Sequence, residues 1–514
     1  MNLVDSVAVE PSAGEGAFLG PMIERLAASC ERQGRSILEC QCSLIAYELN
    51  ESSADHSRTL ATEVLVRCGT SQATARALAE CWIRTGDYLL DSMSLDADYV
   101  IGNPPYVRLE DIPDKTATLY RLAYGTMRGR ADVYVAFFEA ALRQLRPGGV
   151  CTFICADRWM RNQYGAELRN LITADFAVDV VIEMHRANSF EDEVDAYPAI
   201  TVIRRGQQKA VVVASLDDGV EKIPSEVLTS RILDNTSGTA MPTKGLRSAS
   251  VGSWFKGNVP WPCSSPEQLI LLRRLEDEFP LLEKSARVGI GVATGNDRVF
   301  ITTDSQLVEP TRMLKLAVGR DIRSGTMDWS GHYLVDPWNE GGLVALDQYP
   351  RMQDYLEGHG AALRGRHTAL KNAHAWYKTI DRVTHSLTAK KKLYIGDIRN
   401  VLEPVLDQGD TYPHHNLYFI QSDVWDLEVL GGLLLSRIGQ FFVESYGVRM
   451  RGGYLRFQAQ YLRRICVPDP NSISVADQQL LKEAFGTRDR QMATQVALEI
   501  YRVHPDVLEK VIGH

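Results

Sequence analysis

Four consecutive residues, Asn103-Pro104-Pro105-Tyr106, follow an apolar run that predicts a β-strand. Two successive prolines fix φ twice and donate no backbone hydrogen bond, so they predict a rigid, extended exit from a sheet. The side-chain oxygen of Asn103 and the carbonyl oxygen of Pro104 then become two acceptors in fixed positions. The amine of a nucleic-acid base has two N–H donors, and engaging both aims its nitrogen lone pair at an electrophilic methyl group.

Tyr106 is predicted to stack on the base whose amine is held in this way. A base inside a duplex is out of reach, so the base must be flipped out and flat side chains must replace its neighbours. The alternative is a loop that is merely stiffened by proline. Patterns upstream in the chain favour the chemical interpretation.

The first of these patterns is "VEPSAGEGAF", which places Gly14 and Gly16 between a predicted strand and a predicted helix. Glycines there let the backbone approach a ligand, and the helix N-terminus offers free N–H groups. Glu15 between them disfavours a pyrophosphate and suits a ligand with a positive centre, such as a sulfonium or an ammonium. An ordinary strand–helix turn is the alternative.

Two acids follow at the ends of the next two predicted strands. Glu48 in "AYELN" can accept both hydroxyls of a ribose, and Asp87 in "RTGDYLL" can accept from an adenine amine, with Tyr88 lying on the ring. Each acid alone is more often a solvated loop residue. Because ligands bind at the carboxyl ends of strands in open α/β sheets, the ordered series predicts a nucleoside–sulfonium pocket.

The elements that position these residues alternate between strand and helix up to about residue 216. Such alternation predicts an α/β domain, with a mostly parallel sheet of Rossmann type and helices on both faces, over residues 1–227. Residues 228–252 are rich in Ser, Thr and Gly and predict a linker. Residues 253–514 mix helices with short strands and predict a separate α+β domain.

Composition narrows the class of protein further. The chain has 514 residues, a net charge of -9 and 45% hydrophobic residues, an ordinary globular profile. We expect a cytoplasmic protein without a membrane partner, because neither a spanning apolar stretch nor a signal peptide is visible. The nine cysteines lack the paired spacing of zinc ligands, so no metal is expected.

Arginines in the second half predict contacts with the DNA backbone, despite the acidic net charge. They occur beside Gly turns, small polar residues and aromatic rings, although a run of charge is usually only a solvated face. The predicted DNA-binding residues are Arg287, Thr294, Asn296, Arg298, Arg320, Arg323, Arg449, Arg451, Tyr454 and Arg456.

The series "EPSAGEGAFL", "AYELN", "GDYL", "DYVIGNPPY", "GRADVYVAFFEAAL" and "LRPGGVCTFICADRW" resembles the γ-class of adenine-specific DNA methyltransferases, TaqI-like enzymes of restriction–modification systems. The resemblance covers about the first 205 residues motif by motif and continues more loosely to the C-terminal part, which is similar to the specificity domain of the family. One departure is that the family usually carries a helix and a "T-P-P"-like segment before the Gly turn, which here begins at residue 10.

The resemblance implies S-adenosylmethionine (AdoMet) as methyl donor and the amine of adenine in double-stranded DNA as acceptor. It implies catalytic roles for Asn103, Pro104, Tyr106 and a second aromatic, Phe190, for which a core position before a strand is the alternative. It implies cofactor contacts from Glu10, Pro11, Ala13, Gly14, Gly16, Glu48, Asp87, Tyr88 and Asn103. We expect a monomer that acts beside a separate cognate restriction endonuclease.

Two other functions stay open at this point. A methyltransferase for the exocyclic amine of cytosine would more often have Ser in place of Asn103. A non-catalytic DNA-recognition subunit would bind no AdoMet.

Overall fold

The chain folds into two compact units, Met1–Ile270 and Leu271–His514. The computed structural model describes residues 3–92, 95–184, 198–217, 220, 223–234, 245–447 and 454–512. Each unit has its own sheets and its own hydrophobic clusters.

The first unit is built on a nine-stranded sheet in the order β3-β2-β1-β4-β5-β7-β6-β8-β9. Strands β1 to β5 are parallel to one another, whereas β7 runs antiparallel to β5 and β6, and β9 runs antiparallel to β8. The strands are β1 (Ala8–Glu10), β2 (Leu44–Glu48), β3 (Ile83–Thr85), β4 (Ala97–Gly102), β5 (Leu145–Ala156), β6 (Phe176–Glu183), β7 (Pro198–Arg205), β8 (Val211–Leu216) and β9 (Leu246–Val251).

Helices cover both faces of this sheet, as the sequence predicts. Alternate side chains of a strand point to opposite faces, and in β2 Leu44 and Ala46 join one hydrophobic cluster whereas Ile45 and Tyr47 join another. The helices are α1 (Leu19–Gln33), α2 (Glu51–Arg67), α3 (Gln72–Trp82), α4 (Tyr88–Asp91), α5 (Asp114–Ala123), α6 (Tyr134–Gln144), α7 (Arg158–Arg161), α8 (Ala166–Asp175) and α9 (Ser225–Asp234).

The predicted linker and domain boundary differ from the structure. Part of the segment 228–252 is β9, which pairs along its whole length with β8, and Trp254, Phe255 and Trp261 join the core of the first unit. The Ser-rich composition of β9 reflects an edge strand with a partly exposed face rather than a tether. The division between the units falls at 270/271, inside the helix α10 (Pro266–Glu278).

The second unit is an α+β assembly, as predicted. Its sheets have the orders β10-β20-β16-β18, β11-β13-β12-β19, β14-β15 and β17-β21. The strands are β10 (Arg287–Ile290), β11 (Ile301–Thr302), β12 (Met313–Ala317), β13 (Tyr333–Val335), β14 (Trp338–Asn339), β15 (Gly342–Leu343), β16 (Lys392–Gly396), β17 (Ile398–Arg399), β18 (Val405–Asp407), β19 (Tyr412–Pro413), β20 (Leu417–Gln421) and β21 (Leu455–Arg456).

Helices are most concentrated toward the C-terminus of this unit, where four of them pack on one another: Leu427–Leu435, Arg437–Tyr446, Val475–Thr487 and Arg490–Ile500. In the described ranges, every helix is too short or too polar to cross a membrane. The remaining helices are α11 (Asp297–Phe300), α12 (Pro350–Gly358), α13 (Gly360–Arg364), α14 (His367–Lys371), α15 (Leu427–Leu435), α16 (Arg437–Tyr446), α17 (Ala459–Leu462), α18 (Val475–Thr487), α19 (Arg490–Ile500) and α20 (Pro505–Ile512).

Candidate active site at the carboxyl ends of the strands

The glycine turn between β1 and α1 has the backbone conformation that glycine favours. Gly14 and Gly16 have φ values of 56° and 89°, in the left-handed region that side chains make unfavourable. A Cβ atom on Gly16 would lie 2.6 Å from Leu60 Cδ2 of α2. The turn is therefore packed tightly against α2 at Gly16, whereas at Gly14 the backbone conformation alone favours glycine, because a Cβ atom there would have open space.

Glu48, at the end of β2, holds the glycine turn in place. One carboxylate oxygen accepts from the backbone N–H of Gly14 at 2.8 Å, and the other accepts from the N–H of Asn50 at 2.9 Å. Ala13 donates its N–H to the carbonyl of Tyr47 at 2.9 Å. The ends of β1 and β2 are thus connected, and the Glu48 carboxylate is fixed beside the turn.

Glu10, the last residue of β1, is a buried acid with an unused acceptor. Its side chain is 1% exposed, and within the described chain its Oε2 atom has no hydrogen-bond partner. Burial raises the pKa of Glu10 well above its ordinary value of 4.5, and the negative charge of Glu48 raises that pKa further. Such a group favours a ligand that carries positive charge.

Asn103 supplies a second unused acceptor, directly after the neighbouring strand β4. Its Oδ1 atom is buried and also has no partner among the described residues. A Cβ atom on the preceding Gly102 would lie 3.1 Å from Pro11 Cδ and 4.0 Å from Glu10 Cγ, so β1 and β4 end side by side. The prediction that the first and fourth strands deliver their polar residues to the same edge agrees with this geometry.

The rest of the Asn-Pro-Pro-Tyr motif leads away from the sheet. Pro104 is buried, whereas the side chain of Tyr106 is 38% exposed. The ring of Tyr106 lies 6.2 Å, between centroids, from the buried ring of Tyr134 in α6. Tyr106 therefore offers an accessible aromatic surface three residues after Asn103. Phe190 lies outside the described residues.

Asp87 and Tyr88 follow the third strand, and the structure separates their roles. Asp87 caps α4, its Oδ1 accepting from Leu89 N at 2.9 Å. Tyr88 is 2% exposed and donates its hydroxyl to Gln144 at 3.0 Å, with its ring against Phe137. The prediction that Tyr88 covers an adenine ring is corrected: β3 ends at Thr85, and α4 turns the Tyr88 ring into the core.

Sequence reasoning missed two tyrosines, Tyr120 of α5 and Tyr124 directly after that helix. The hydroxyl of Tyr120 donates to the second oxygen of Asp87 at 2.7 Å, and Tyr124 donates to the carbonyl of Leu89 at 2.6 Å. A pair of tyrosines at the end of a helical segment was the available signal, but the partner of neither can be read from the sequence.

Of the arginines predicted to bind DNA, several are exposed and others are already engaged. Arg287 in β10 is exposed, with its guanidinium 5.8 Å from the centre of the Phe419 ring. Arg298 and Arg323 are exposed, and Arg320 pairs with His332. Arg287, Arg298 and Arg323 are thus exposed, whereas Arg320 is engaged.

The remaining predicted contacts are more mixed. Arg456 is committed to a salt bridge with Asp397 at 2.7 Å, and buried Thr294 donates to Asp297. Asn296, partly exposed, donates its N–H to Thr294 Oγ1 at 3.1 Å. Thr294 therefore stabilises this turn. The aromatic residue Tyr454 is 45% exposed. Arg449 and Arg451 lie outside the described residues.

One cluster in the second unit has side chains of the types that bind metal ions. The candidate ligand atoms of Asp297, His414 and His415 all lie within 4.8 Å of one another. Asp297 also accepts from Thr294 and pairs with His414 at 3.2 Å. These bonds give the cluster a sufficient structural role in shaping the turn, and we assign it no ligand.

Comparison with known proteins identifies the family. The profile of the Eco57I restriction-modification methylase family matches residues 45–190. The Type II methyltransferase M.PaeR7I of Pseudomonas aeruginosa is 41% identical over 96% of this chain and 86% of its own length. M.XhoI of Xanthomonas vasicola is 38% identical over 97% of this chain and 92% of its own. The chain therefore belongs to the Type II methyltransferases of restriction–modification systems.

The fold of the whole chain is also found in a solved structure. The type IIL restriction-modification enzyme MmeI, determined in complex with DNA, superposes with a TM-score of 0.54 at 11% sequence identity. The match covers 99% of this chain and 70% of the MmeI chain. This likeness shows a shared fold.

Proposed function

We propose that the chain transfers a methyl group from AdoMet to the exocyclic amine of adenine in duplex DNA, with the base flipped out. The observation that carries the proposal is the pair of buried acceptors, Glu10 Oε2 and Asn103 Oδ1, at adjoining strand ends. Buried acceptors normally have donors. A pair whose partners are absent from the described chain points to ligands that bring N–H groups and positive charge.

The set of acceptors at the strand ends fits AdoMet, which supplies an electrophilic methyl group on a sulfonium when bound. Glu10 can balance the positive charge of such a ligand. Glu48 is held by two backbone N–H groups and keeps lone pairs for ribose hydroxyls. Asp87 keeps lone pairs for the ring amine, because each carboxylate oxygen accepts more than one hydrogen bond.

The amine is activated by position rather than by a strong base. Asn103 Oδ1 and the carbonyl of Pro104 accept its two N–H groups, so the nitrogen lone pair leaves the ring system and points at the methyl group. Tyr106, with its accessible ring, stacks on the base, and we assign Phe190 to the other face. Acceptors already in place need no reorganisation during the reaction.

The second unit is the proposed DNA reader. Its exposed arginines Arg287, Arg298 and Arg323 are suited to phosphate groups, which fix register, whereas base-edge contacts fix sequence. The Type II relatives support DNA as the substrate. We further propose a monomer that acts beside a separate restriction endonuclease.

The decisive experiment is methylome sequencing of DNA from cells that express the chain, with calorimetry of AdoMet binding to the purified protein. N6-methyladenine at a defined site is the expected result. Methylation of a cytosine amine at that site would favour the second enzyme class. No methylation and no AdoMet binding would favour a recognition subunit.

Asp87→Ala is expected to weaken AdoMet binding about tenfold or more, because a buried amine would lose its acceptor. The substitution also removes the cap of α4, which costs about 0.5–2 kcal/mol of stability. Asp87→Asn is the matched control, since Asn caps helices as well as Asp but presents a less favourable partner to the amine. The AdoMet affinity of both variants is measured by calorimetry. If both bind AdoMet as tightly as the wild type, Asp87 does not belong to the pocket.

AdoMet binding is expected to strengthen as pH rises through the raised pKa of Glu10. Below that pKa the acid is neutral, and binding a cation must expel its proton. Calorimetry in buffers of different ionisation enthalpy should detect this proton release, and Glu10→Gln should abolish it. If Glu10→Gln and the wild type release the same number of protons on binding AdoMet, Glu10 does not bind the positive charge of the ligand.

The same shift predicts how stability of the ligand-free protein depends on pH. The pKa of Glu10 is higher in the folded protein than in the unfolded chain. Its stabilising contribution to the free energy of unfolding is therefore fully present below about pH 4.5 and is lost as pH rises through the folded pKa. Melting temperatures of Glu10→Gln should therefore decline less with pH over that window than those of the wild type.

A further inference from the structure

Residues 107–130, which lie between the Asn-Pro-Pro-Tyr motif and α6, contact the short helix α4 and its cap Asp87. We call this segment the insert. Tyr120 lies in its helix α5 and Tyr124 directly follows that helix, and both contact the short helix α4. The Tyr120 hydroxyl lies 2.7 Å from Asp87 Oδ2, and the Tyr124 hydroxyl lies 2.6 Å from the carbonyl oxygen of Leu89.

Both tyrosines are fixed in the core of the first unit. Tyr120 is 7% exposed and Tyr124 is 5% exposed. The insert is anchored again beyond α5, where Glu139 of α6 accepts from the N–H groups of Gly125 at 3.3 Å and Thr126 at 2.8 Å. The position of the Tyr120 hydroxyl is therefore set by surrounding packing rather than by its bond to Asp87 alone.

The two oxygens of Asp87 are each held by one donor. Leu89 N approaches Oδ1 at 2.9 Å, and Tyr120 approaches Oδ2 at 2.7 Å. Two donors on different oxygens fix the plane of a carboxylate, whereas the backbone donor alone leaves it free to rotate. Each oxygen keeps a lone pair for another N–H, so the carboxylate is oriented and still able to accept.

We propose that Tyr120 is a positioning residue of the cofactor site, which acts through Asp87 to aim that carboxylate at the ring amine of the nucleoside. The inference rests on the proposed AdoMet site and adds a role for the insert. It assigns to Tyr120 part of the selectivity for a nucleoside that carries a ring amine. An anchor that only holds α5 on α4 would have no such selectivity.

The test uses the full chain and two probes, S-adenosylhomocysteine and its deamino counterpart, in which hydrogen replaces the ring amine. Their dissociation constants are measured by calorimetry for the wild type, Tyr120→Phe and Tyr164→Phe. Tyr164 is the matched control, because its hydroxyl donates to a different carboxylate, that of Asp132, at 3.1 Å. Melting temperatures report whether each variant is folded.

We expect Tyr120→Phe to weaken binding of S-adenosylhomocysteine about three- to tenfold, the net scale of one ordinary hydrogen bond, because the hydroxyl acts on the ligand only through Asp87. Binding of the deamino probe should not change, and Tyr164→Phe should affect neither probe. In an Asp87→Ala background the effect of Tyr120→Phe should vanish, because the two residues act as a unit.

Three results would overturn the inference. Equal weakening of both probes would make Tyr120 a structural anchor, and no weakening would remove it from the site. Tighter binding of S-adenosylhomocysteine by Tyr120→Phe would mean that the hydroxyl competes with the amine. A wild type that binds neither probe would instead overturn the proposed AdoMet site, and the role of Tyr120 would fall with it.

Discussion

Asn103→Ala is expected to lose methyl transfer at least about a hundredfold while binding AdoMet with nearly wild-type affinity. The amide oxygen is one of two fixed acceptors for the amine, and loss of a preorganised partner of this kind typically costs about a hundred- to a thousandfold in rate. Its Oδ1 atom has no partner among the described residues, so the substitution breaks no side-chain bond to that oxygen. Single-turnover rates on duplex DNA and calorimetry of AdoMet provide the two measurements.

A matched control is Asn471→Ala, which removes an exposed amide from the second unit. It should leave the single-turnover rate unchanged. Transfer by Asn103→Ala near the wild-type rate would show that the amide does not hold the amine. A parallel loss of AdoMet affinity would instead place Asn103 mainly in the cofactor pocket.

The strand-end residues were predictable because their placement follows from local pattern and one topological rule. Glu10, Glu48 and Asn103 end or directly follow β1, β2 and β4, and parallel strands bring their carboxyl ends to one edge. The apolar runs identify the strands, and the polar residues after them then fall at that edge. No long-range contact has to be known to derive this arrangement.

Other features depend on packing that the sequence does not display. The ring of Tyr88 follows Asp87 directly, yet the short helix α4 turns it toward Phe137 and Gln144. Arg456 is paired with Asp397, which lies 59 residues earlier in the chain. For Tyr88 and for Arg456, the residues that the side chain contacts are distant in sequence. The local sequence around each residue therefore suggested a contact with a ligand instead.

The predicted linker was wrong for a related reason. The strand β9 has the sequence LRSASV, in which small polar residues interrupt the apolar ones. Such a strand is stabilised by its ladder with β8 and by the burial of its terminal residues Leu246 and Val251. A segment of this composition has weak strand propensity by itself, and only the neighbouring strand makes it part of the sheet.

Tyr106→Ala is expected to slow methylation of a normal A·T pair by about five- to a hundredfold, because stacking on a flipped base contributes about 1–3 kcal/mol. The loss should be smaller on a duplex in which the target adenine is mispaired, since that base is easier to extrude. Tyr106→Trp keeps an aromatic face and should retain most of the activity. Turnover on matched and mismatched duplexes, with melting temperatures, is the measurement.

Burial distinguishes this expectation from an ordinary packing defect. The Tyr106 side chain is 38% exposed, whereas that of Tyr134, its aromatic neighbour, is 1% exposed. Tyr134→Ala should therefore lower the melting temperature strongly, because truncating a buried aromatic costs about 3–5 kcal/mol, and Tyr106→Ala should lower it much less.

The same pair of measurements, melting temperature and turnover on the two duplexes, decides the role of Phe190. A Phe190→Ala protein that melts early and loses equal activity on both duplexes would make Phe190 a core residue. Tyr106 would then hold the flipped base without a second aromatic, and a Tyr106→Ala protein that treats both duplexes alike would remove stacking from the mechanism.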